Sequence, residues 1–275
     1  MVLHLVALVL TGVAAALFAL IIVSLVRQGL PSLTWRFLVG SPNERAGDNG
    51  IAPELMNTAF LIGVTWLVTA PLGLLVAIFL REYGFRRRSA VVRPLNHLRA
   101  TLLSAPTVVV ALVVYRVAVG WWHWPVSLAT GCLTLAVINW PFMVTVAEQA
   151  LASVPQSYRE ASLGLGATRF ATAVRVVIPA ALSPLIEGWG LAVARLAGES
   201  AALVITAGVN VSRHFSLWGP GETLAVHIWY IRTEGVSVNR DAEAAATGVI
   251  LLLLIAAVVW SSARVARMLS GGEPR

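Results

Sequence analysis

The sequence predicts an all-α membrane protein with about six transmembrane helices. Of its 275 residues, 58% are hydrophobic and 12% are charged, and the mean hydropathy is +0.80. A soluble domain carries roughly 25% charged residues, so this chain has too little polar surface for a water-exposed fold. Strands are excluded because lipid cannot satisfy the backbone groups of an open sheet. Six stretches are apolar and long enough to cross a hydrocarbon core of ~30 Å: 3–26, 58–80, 100–119, 126–146, 185–209 and 244–265.

The first apolar run, residues 1–26, has no basic residue before Arg27. A cleaved signal peptide would begin with a basic segment and would have a shorter apolar core. We therefore expect a retained transmembrane helix here.

The formal net charge is +7, and every basic residue is Arg because the chain contains no Lys. In a soluble protein this charge would suggest nucleic acid as a partner. In a membrane protein it marks cytoplasmic loops, so we expect no nucleic-acid partner. The positive-inside rule places both termini and the loops after the second and fourth spans in the cytoplasm, on the evidence of Arg81, Arg86, Arg87, Arg88, Arg93, Arg159, Arg169 and Arg175.

Aromatic residues cluster near the predicted outer ends of the helices. They indicate either an interfacial belt or a docking surface for an outer partner: Trp35, Phe37, Trp121, Trp122, Trp124, Trp218, Trp229 and Tyr230. Pro71, Pro106 and Pro141 are expected to interrupt the second, third and fourth helices, because proline removes a helical hydrogen bond.

The sequence shows no catalytic or metal-binding pattern. Cys132 is the single cysteine, so neither a disulfide within the chain nor a cysteine cluster can form. The five histidines show no ligand spacing. A phosphate-binding loop of the Gly-x-x-x-x-Gly-Lys type is impossible without Lys. This chain therefore cannot bind ATP through such a loop.

The segment 153–184 is too long for a simple turn and too polar in its first half to span the membrane. Ser157 stands three residues before Glu160, which is the spacing of a capping box at a helix start. Gly164 and Gly166 are expected to end this helix, since glycine adopts the left-handed conformation of a sharp stop.

A second short helix is predicted directly after the first. Thr168 would cap it, and Pro179 would mark the turn into the fifth span. One helical face is predicted to carry Phe170, Val174 and Val177. Taken alone, this pattern also fits an amphipathic helix resting on the bilayer.

The fifth span carries two charges, Arg195 and Glu199. Because they lie four residues apart, they would share a helical face and could pair. Two interpretations stay open at this point: a structural salt bridge between helices, or an anion pathway in which the guanidinium fork of Arg195 binds oxyanions. A stripe of small residues would allow close contact with a partner helix: Gly190, Ala194 and Gly198.

The segment after the fourth span resembles the EAA signature of the membrane subunits of bacterial ABC importers. That signature reads Glu-Ala-Ala, three residues, Gly, nine residues and Ile-x-Leu-Pro. This chain has Glu160, Ala161 and Ser162, then Gly166, then Val176 to Pro179 at the same spacing, with Ser162 in place of the second Ala. The resemblance implies a type I (MetI-like) importer permease bundle. It also implies a cytoplasmic coupling helix around Glu160–Gly166 that enters a groove of the ATPase, with Phe170 as a possible apolar anchor.

The fifth span is similar to that of phosphate importer permeases of the A type. The form there is Ala-Arg-x-x-Gly-Glu-Thr-Ala-Pro. This chain has Ala194, Arg195, Gly198, Glu199 and Ser200 at those positions, with Ser200 for Thr and Ala202 for Pro. Segments 49–53, 105–109 and 223–228 also resemble that family.

The resemblance implies a subunit of an ATP-driven phosphate importer in the bacterial cytoplasmic membrane. It would pair with a homologous C-type permease, an ATPase dimer and a periplasmic or lipid-anchored phosphate-binding protein. This chain would bind no cofactor, since ATP and Mg²⁺ belong to the ATPase. We expect residues 1–53 to form the first helix and outer loop, 54–268 the transport domain and 269–275 a cytoplasmic tail. The alternatives are a permease for phosphonate, molybdate or sulfate, and a membrane scaffold or regulator that transports nothing.

Overall fold

The computed structural model describes residues 2–41, 50–83, 91–209, 215–235, 237 and 239–270. Several residues used above lie outside this part of the chain: Asn49, Arg86, Arg87, Arg88 and the tail residues 271–275.

The described residues form helices joined by short connections, with no strand among them. Three π-helical turns, Phe79–Tyr83, Arg116–Trp121 and Ala173–Val177, extend or connect these helices. The α-helices are α1 (Val2–Gly29), α2 (Trp35–Val39), α3 (Ala52–Ile78), α4 (Val92–Ser104), α5 (Thr107–Tyr115), α6 (Leu128–Ala152), α7 (Gln156–Gly164), α8 (Arg169–Thr172), α9 (Ile178–Ala180), α10 (Leu182–Ala197), α11 (Ala201–Thr206), α12 (Leu224–Thr233) and α13 (Arg240–Leu269).

Four helical segments are individually long and apolar enough to cross a membrane: His4–Ser32, Ala52–Tyr83, Leu128–Ala152 and Arg240–Leu269. Two further pairs of helices meet the same test only together, because each is bent at a break. The described chain thus has four straight candidate spans, or up to six if each bent pair counts as one. The all-α membrane fold is confirmed, and two of the predicted spans need correction.

The third span is not the continuous helix 100–119. The chain bends by 109° between the helical segments Val92–Ser104 and Thr107–Trp121. Proline disfavours helical geometry in the residue before it, and Ala105, which precedes Pro106, is extended at φ −70° and ψ 138°. The expectation for Pro71 and Pro141 was wrong, because both lie inside continuous helices.

The fifth span is not the continuous helix 185–209. It ends at Ala197, and the chain leaves helical geometry before α11 begins at Ala201. The chain is also bent just before this span, by 70° between the helical segments Arg169–Ala180 and Leu182–Ala197. Gly198 caps α10, and glycine is a poor helix former.

The core of the bundle is the contact between α3 and α6. The backbones approach closely where Gly73 of α3 faces Met143: a Cβ built on Gly73 would lie 2.8 Å from the Met143 Cβ and 3.0 Å from its carbonyl carbon. Nearby, the Asn139 amide nitrogen lies 3.4 Å from the Thr69 hydroxyl oxygen. Small residues and a polar contact of this kind hold helices together in lipid, where no hydrophobic force acts between them.

Helix α13 joins α1 to the bundle, because it packs against both α1 and α10, and α10 packs on α6. The side chain of Leu25 in α1 packs against Gly248 of α13, and Gly29 lies against the backbone of Ala245. The central part of α1 is not covered by the rest of the chain. It therefore presents an apolar surface to lipid or to another subunit.

Replacing Gly73 with Val is expected to destabilise the bundle by about 1–3 kcal/mol, because the branched side chain overpacks the α3–α6 contact. Gly63→Val is the matched control, since Gly63 lies on the same helix and a Cβ there meets nothing within 4 Å. Thermal unfolding in detergent measures the difference. Equal midpoints for the two variants would contradict this account of the packing.

Candidate functional site

The candidate site is built around α7, the short helix that follows α6. It begins directly after Pro155, whose backbone is extended at φ −56° and ψ 142°. The predicted capping box is wrong: Ser157 is the second residue of the helix, and no side chain caps the helix start. Proline's fixed φ and missing N–H suit a helix entry, so the helix starts earlier than the Ser157 signal indicates.

The predicted stop of α7 is confirmed. The helix ends at Gly164, and Gly166 has a φ of +84°. Side chains with a Cβ rarely adopt this left-handed conformation, whereas glycine does so readily. The chain therefore reverses within a few residues and enters α8.

The second helix begins as predicted, since the Thr168 hydroxyl accepts a hydrogen bond from the Ala171 N–H. The two short helices are joined by a contact of 2.9 Å between the hydroxyls of Ser162 and Thr172. Together, α7 and α8 form a compact hairpin.

The predicted common face of α8 is not formed. Val177 is buried, whereas Phe170 is 67% exposed and Val174 is exposed too. The π-helical turn Ala173–Val177 lies between them. This wider turn shifts Val177 around the helix axis relative to Phe170, so the two residues do not share a face and Phe170 stays exposed.

Arg159 attaches the hairpin to the ends of both core helices. Its Nε donates to Glu82 Oε1 at 3.0 Å. Its two terminal nitrogens donate to the carbonyl oxygens of Val154 and Leu151, at 2.9 and 2.8 Å. A guanidinium at the end of α6 satisfies carbonyls that the helix leaves open and complements the negative end of its dipole.

A second arginine reinforces this attachment: Arg169 Nη1 donates to the Glu82 carbonyl oxygen at 3.1 Å. We name the contacts of Arg159 and Arg169 with Glu82 and the end of α6 the arginine clasp. In the sequence, Arg159 and Arg169 indicated only a cytoplasmic loop. The clasp joins residues far apart in sequence, so spacing gave no signal for it.

The outer side of the hairpin is open. A cleft of ≈ 740 Å³ lies beside it, lined in part by Arg81, Glu82, Gln156, Arg159 and Leu163. Residues Glu160, Ala161 and Gly166 are exposed, Ser162 is half-buried, and Pro179 is exposed two residues before the bend into α10. Several large apolar side chains are exposed on the same hairpin: Tyr158, Leu163, Leu165 and Phe170. Apolar patches of this kind mark interaction surfaces.

The second predicted site lies at the break after α10. The expected pairing of Arg195 with Glu199 is not formed, because the helix ends between them. The Arg195 guanidinium lies instead over the Phe142 ring, 5.1 Å from its centroid. Glu199 Oε1 accepts from the Ala202 N–H at 3.4 Å, at the start of α11.

Arg195 is exposed in the isolated chain, while Glu199 and Ser200 are half-buried. Within the part of the chain that the structure describes, no carboxylate lies within ion-pair distance of Arg195. The Ser200 hydroxyl does not cap α11. The break thus places a cation and a hydroxyl at one irregular point of the bundle.

One residue of the predicted small-residue stripe makes a close helix contact within this chain, while contact of the stripe with a partner helix stays a prediction. Gly190 packs against α13 of the same chain, since a Cβ there would lie 2.0 Å from the Ser262 Oγ. Ala194 is half-buried and Gly198 is exposed at the helix end. The close approach at Gly190 is therefore internal.

A further cluster lies at the opposite end of α3 from the arginine clasp. Glu54, Glu222 and His227 are each at most 3% exposed. Burial by itself lowers the pKa of His227, but the hydrogen bond and charge of Glu222, with the charges of Glu54 and Glu243, outweigh burial and raise this pKa above its usual value. Glu54, Glu222 and His227 are far apart in the sequence and show no ligand spacing, so the sequence gives no signal for this cluster.

Comparison with known proteins identifies the fold and the family. Residues 69–270 match the family described as "Binding-protein-dependent transport system inner membrane component". The chain is 35% identical over 269 residues to the probable ABC transporter permease protein YqgI of Bacillus subtilis (strain 168), covering 92% of this chain and 90% of that protein. It is 32% identical over 216 residues to the phosphate transport system permease protein PstA of Haemophilus influenzae, covering 74% and 71%.

Solved importer structures share the fold at low sequence identity. A bacterial alginate ABC transporter, in complex with an alginate-bound periplasmic protein, superposes with a TM-score of 0.71 at 14% identity, covering 96% of this chain and 94% of that chain. The MetNI methionine ABC transporter in an inward-facing conformation gives 0.62 at 18% identity, covering 80% and 94%. This chain therefore belongs to the family of binding-protein-dependent transport system inner membrane components and is the membrane permease component of an ABC importer.

Proposed function

We propose that this permease carries inorganic phosphate inward across the bacterial cytoplasmic membrane. Its relatives include PstA proteins at 28–33% identity, and these names support phosphate as the substrate. The observation that carries the proposal is Arg195, an exposed guanidinium at a helix break that no described carboxylate neutralises.

The chemistry of Arg195 suits a phosphate pathway. Its planar fork matches two phosphate oxygens and stays charged at every physiological pH. Its position over Phe142 holds the guanidinium without an ion pair. A transport pathway must bind its ion weakly enough to release it, and one exposed cation satisfies that condition better than a buried cluster.

The complex would contain four kinds of component. This chain, with residues 54–268 as its transport domain, would pair with a homologous C-type permease in the lipid bilayer. An ATPase dimer holding ATP and Mg²⁺ would dock on the α7–α8 hairpin, and a phosphate-binding protein would deliver substrate at the other face. The hairpin and both termini would then be cytoplasmic, and this chain would need no cofactor of its own.

The hairpin would act as the coupling element through Glu160, Ala161, Ser162 and Gly166. Its exposed apolar residues, Phe170 above all, would enter the ATPase groove, because large apolar anchors dominate interface energy. Movement of α7 would reach α3 and α6 through the arginine clasp. The charge-assisted bonds of Arg159 make this link stiffer than a plain loop connection.

Replacing Arg195 with Gln is expected to reduce phosphate uptake by about 10–100-fold, since a hydrogen bond to a charged group contributes roughly 1.5–3 kcal/mol. Arg264→Gln is the matched control, because Arg264 is also exposed and also lies over an aromatic ring, that of Trp260. Uptake of labelled phosphate into proteoliposomes containing the whole importer measures the effect.

Competition by phosphonate, molybdate and sulfate in the same assay tests the substrate. No phosphate uptake by the wild-type importer, or stronger inhibition by one of these anions than by unlabelled phosphate, would reject phosphate as the preferred substrate. Unchanged uptake in the Arg195→Gln variant would reject the role of Arg195.

Replacing Gly166 with Val is expected to uncouple ATP hydrolysis from transport. The left-handed backbone at Gly166 strains any side chain by about 1–2 kcal/mol, so the hairpin must rearrange. Gly164→Val is the control: it lies two residues earlier, outside the left-handed region, and a Cβ at either position meets nothing within 4 Å. The measurement is ATPase activity with and without the loaded binding protein; full stimulation in the Gly166 variant would exclude the coupling role.

A further inference from the structure

The buried cluster of Glu54, Glu222 and His227 joins three separate parts of the chain. Glu54 stands in the first turn of α3, Glu222 lies in the connection before α12, and His227 lies within α12. The α7–α8 hairpin contacts the other end of α3, about 40 Å away for a helix of 27 residues. The cluster is therefore separate from the proposed coupling surface.

The contacts within the cluster leave polar atoms unused. His227 Nδ1 lies 2.5 Å from Glu222 Oε1 and 3.8 Å from Glu54 Oε1. Within the described residues, three carboxylate oxygens of the cluster are buried without a hydrogen-bond partner: both oxygens of Glu54 and Glu222 Oε2. Buried polar groups are normally satisfied, so these oxygens indicate an occupant beside His227 Nδ1.

The donor groups point to a cation. Two carboxylates lie beside one imidazole, and all three residues are at most 3% exposed. Buried charges in proteins are paired or bind metals. Each of the three residues offers one ligand atom, and these atoms all lie within 4.8 Å of one another.

The donor set selects the class of cation. One imidazole nitrogen and two carboxylate oxygens suit zinc and similar divalent transition metals, whereas Mg²⁺ and Ca²⁺ prefer oxygen alone. Tetrahedral zinc holds its ligand atoms ~3.3 Å apart at bond lengths of ~2.0–2.1 Å. The 2.5 Å contact would open and the 3.8 Å contact would shorten, each by less than ~1 Å.

Neighbouring residues hold the ligands in place. The Asn57 amide donates to the Glu222 carbonyl oxygen at 3.1 Å, and the Leu224 N–H donates to the Thr58 hydroxyl at 2.9 Å. Both contacts fix the Glu222 segment against α3.

We propose that Glu54, Glu222 and His227 form a binding site for a divalent transition-metal cation of the zinc type. The bound ion ties the first turn of α3 to α12 and so fixes this end of the bundle. The proposal does not depend on which substrate the permease carries.

The experiment uses the full chain in detergent, purified through an affinity tag without histidine. The protein is treated with a chelator, dialysed and titrated with Zn²⁺, and bound metal is measured by mass spectrometry. Stoichiometric binding and a rise of several degrees in the thermal midpoint are expected. Mg²⁺ at the same concentration is expected to produce neither.

The variants Glu54→Gln and His227→Gln are expected to weaken Zn²⁺ binding by at least about 10–100-fold, which is the usual effect of disturbing a metal site. Glu234→Gln and His97→Gln are the matched controls, because both residues are exposed. Equal binding by variants and controls overturns the proposal. So does wild-type protein that binds no Zn²⁺, in which case protons alone neutralise the cluster.

A second measurement decides the matter if the variants do not fold. Wild-type protein loaded with Co²⁺ is expected to show the visible absorption of a four-coordinate ion, and X-ray absorption of the Zn²⁺ form is expected to show one imidazole and only nitrogen and oxygen ligands. A sulfur ligand or a fully hydrated ion rejects the site.

Discussion

The packing of α3 against α6 is the contact on which the rest of the molecule depends. At its centre Gly73 lies so close to Met143 that no side chain larger than hydrogen fits between the two backbones. Lipid supplies no hydrophobic force between helices, so close packing and polar contacts must hold this pair together. The contact between Asn139 and Thr69 adds specificity to it. Because the two helices cannot slide past Gly73 without a clash, their ends keep a defined relation.

Each end of this helix pair lies at one of the two proposed sites. At one end the arginine clasp binds Glu82, which follows α3, and the terminal carbonyls of α6. At the other end Glu54, in the first turn of α3, meets Glu222 and His227. Under the proposed coupling role, a displacement of α7 would act on α3 and α6 together through these bonds, and the contacts of Glu54 would resist movement at the far end. One rigid pair thus connects the proposed ATPase surface with the opposite face of the bundle.

The two helix breaks provide the irregular geometry that straight helices lack. At Pro106 the missing N–H and the extended Ala105 turn the chain through 109°. At Gly198 the helix ends, and the Glu199 carboxylate accepts a hydrogen bond at the start of the next one. Non-helical backbone at membrane depth is tolerated where it lies within protein or beside a water-filled path. The break at Gly198 therefore suits a point of substrate passage, with Arg195 in its last helical turn.

The sequence by itself determined that the chain lies in a membrane, that it is helical and where its short helices begin or end. Apolar length and scarce charge predicted helices in lipid, and the glycines at 164 and 166 and the cap at Thr168 predicted the α7–α8 hairpin. These features depend on neighbouring residues, so spacing reveals them. The capping box at Ser157 failed because a second local signal, Pro155, starts the helix earlier.

The tertiary structure alone decided which distant residues meet. Arg195 and Glu199 matched a helical spacing, yet the helix ends between them and Arg195 packs on Phe142 of another helix. In the sequence, Arg159 indicated only a cytoplasmic loop. In the structure its Nε lies 3.0 Å from Glu82 Oε1, because the packing of α3 on α6 brings the ends of these helices together. Glu54, Glu222 and His227 come together in the same way. Such meetings depend on helix crossing angles and bends, which arise from packing along the whole bundle and leave no periodic trace in the sequence.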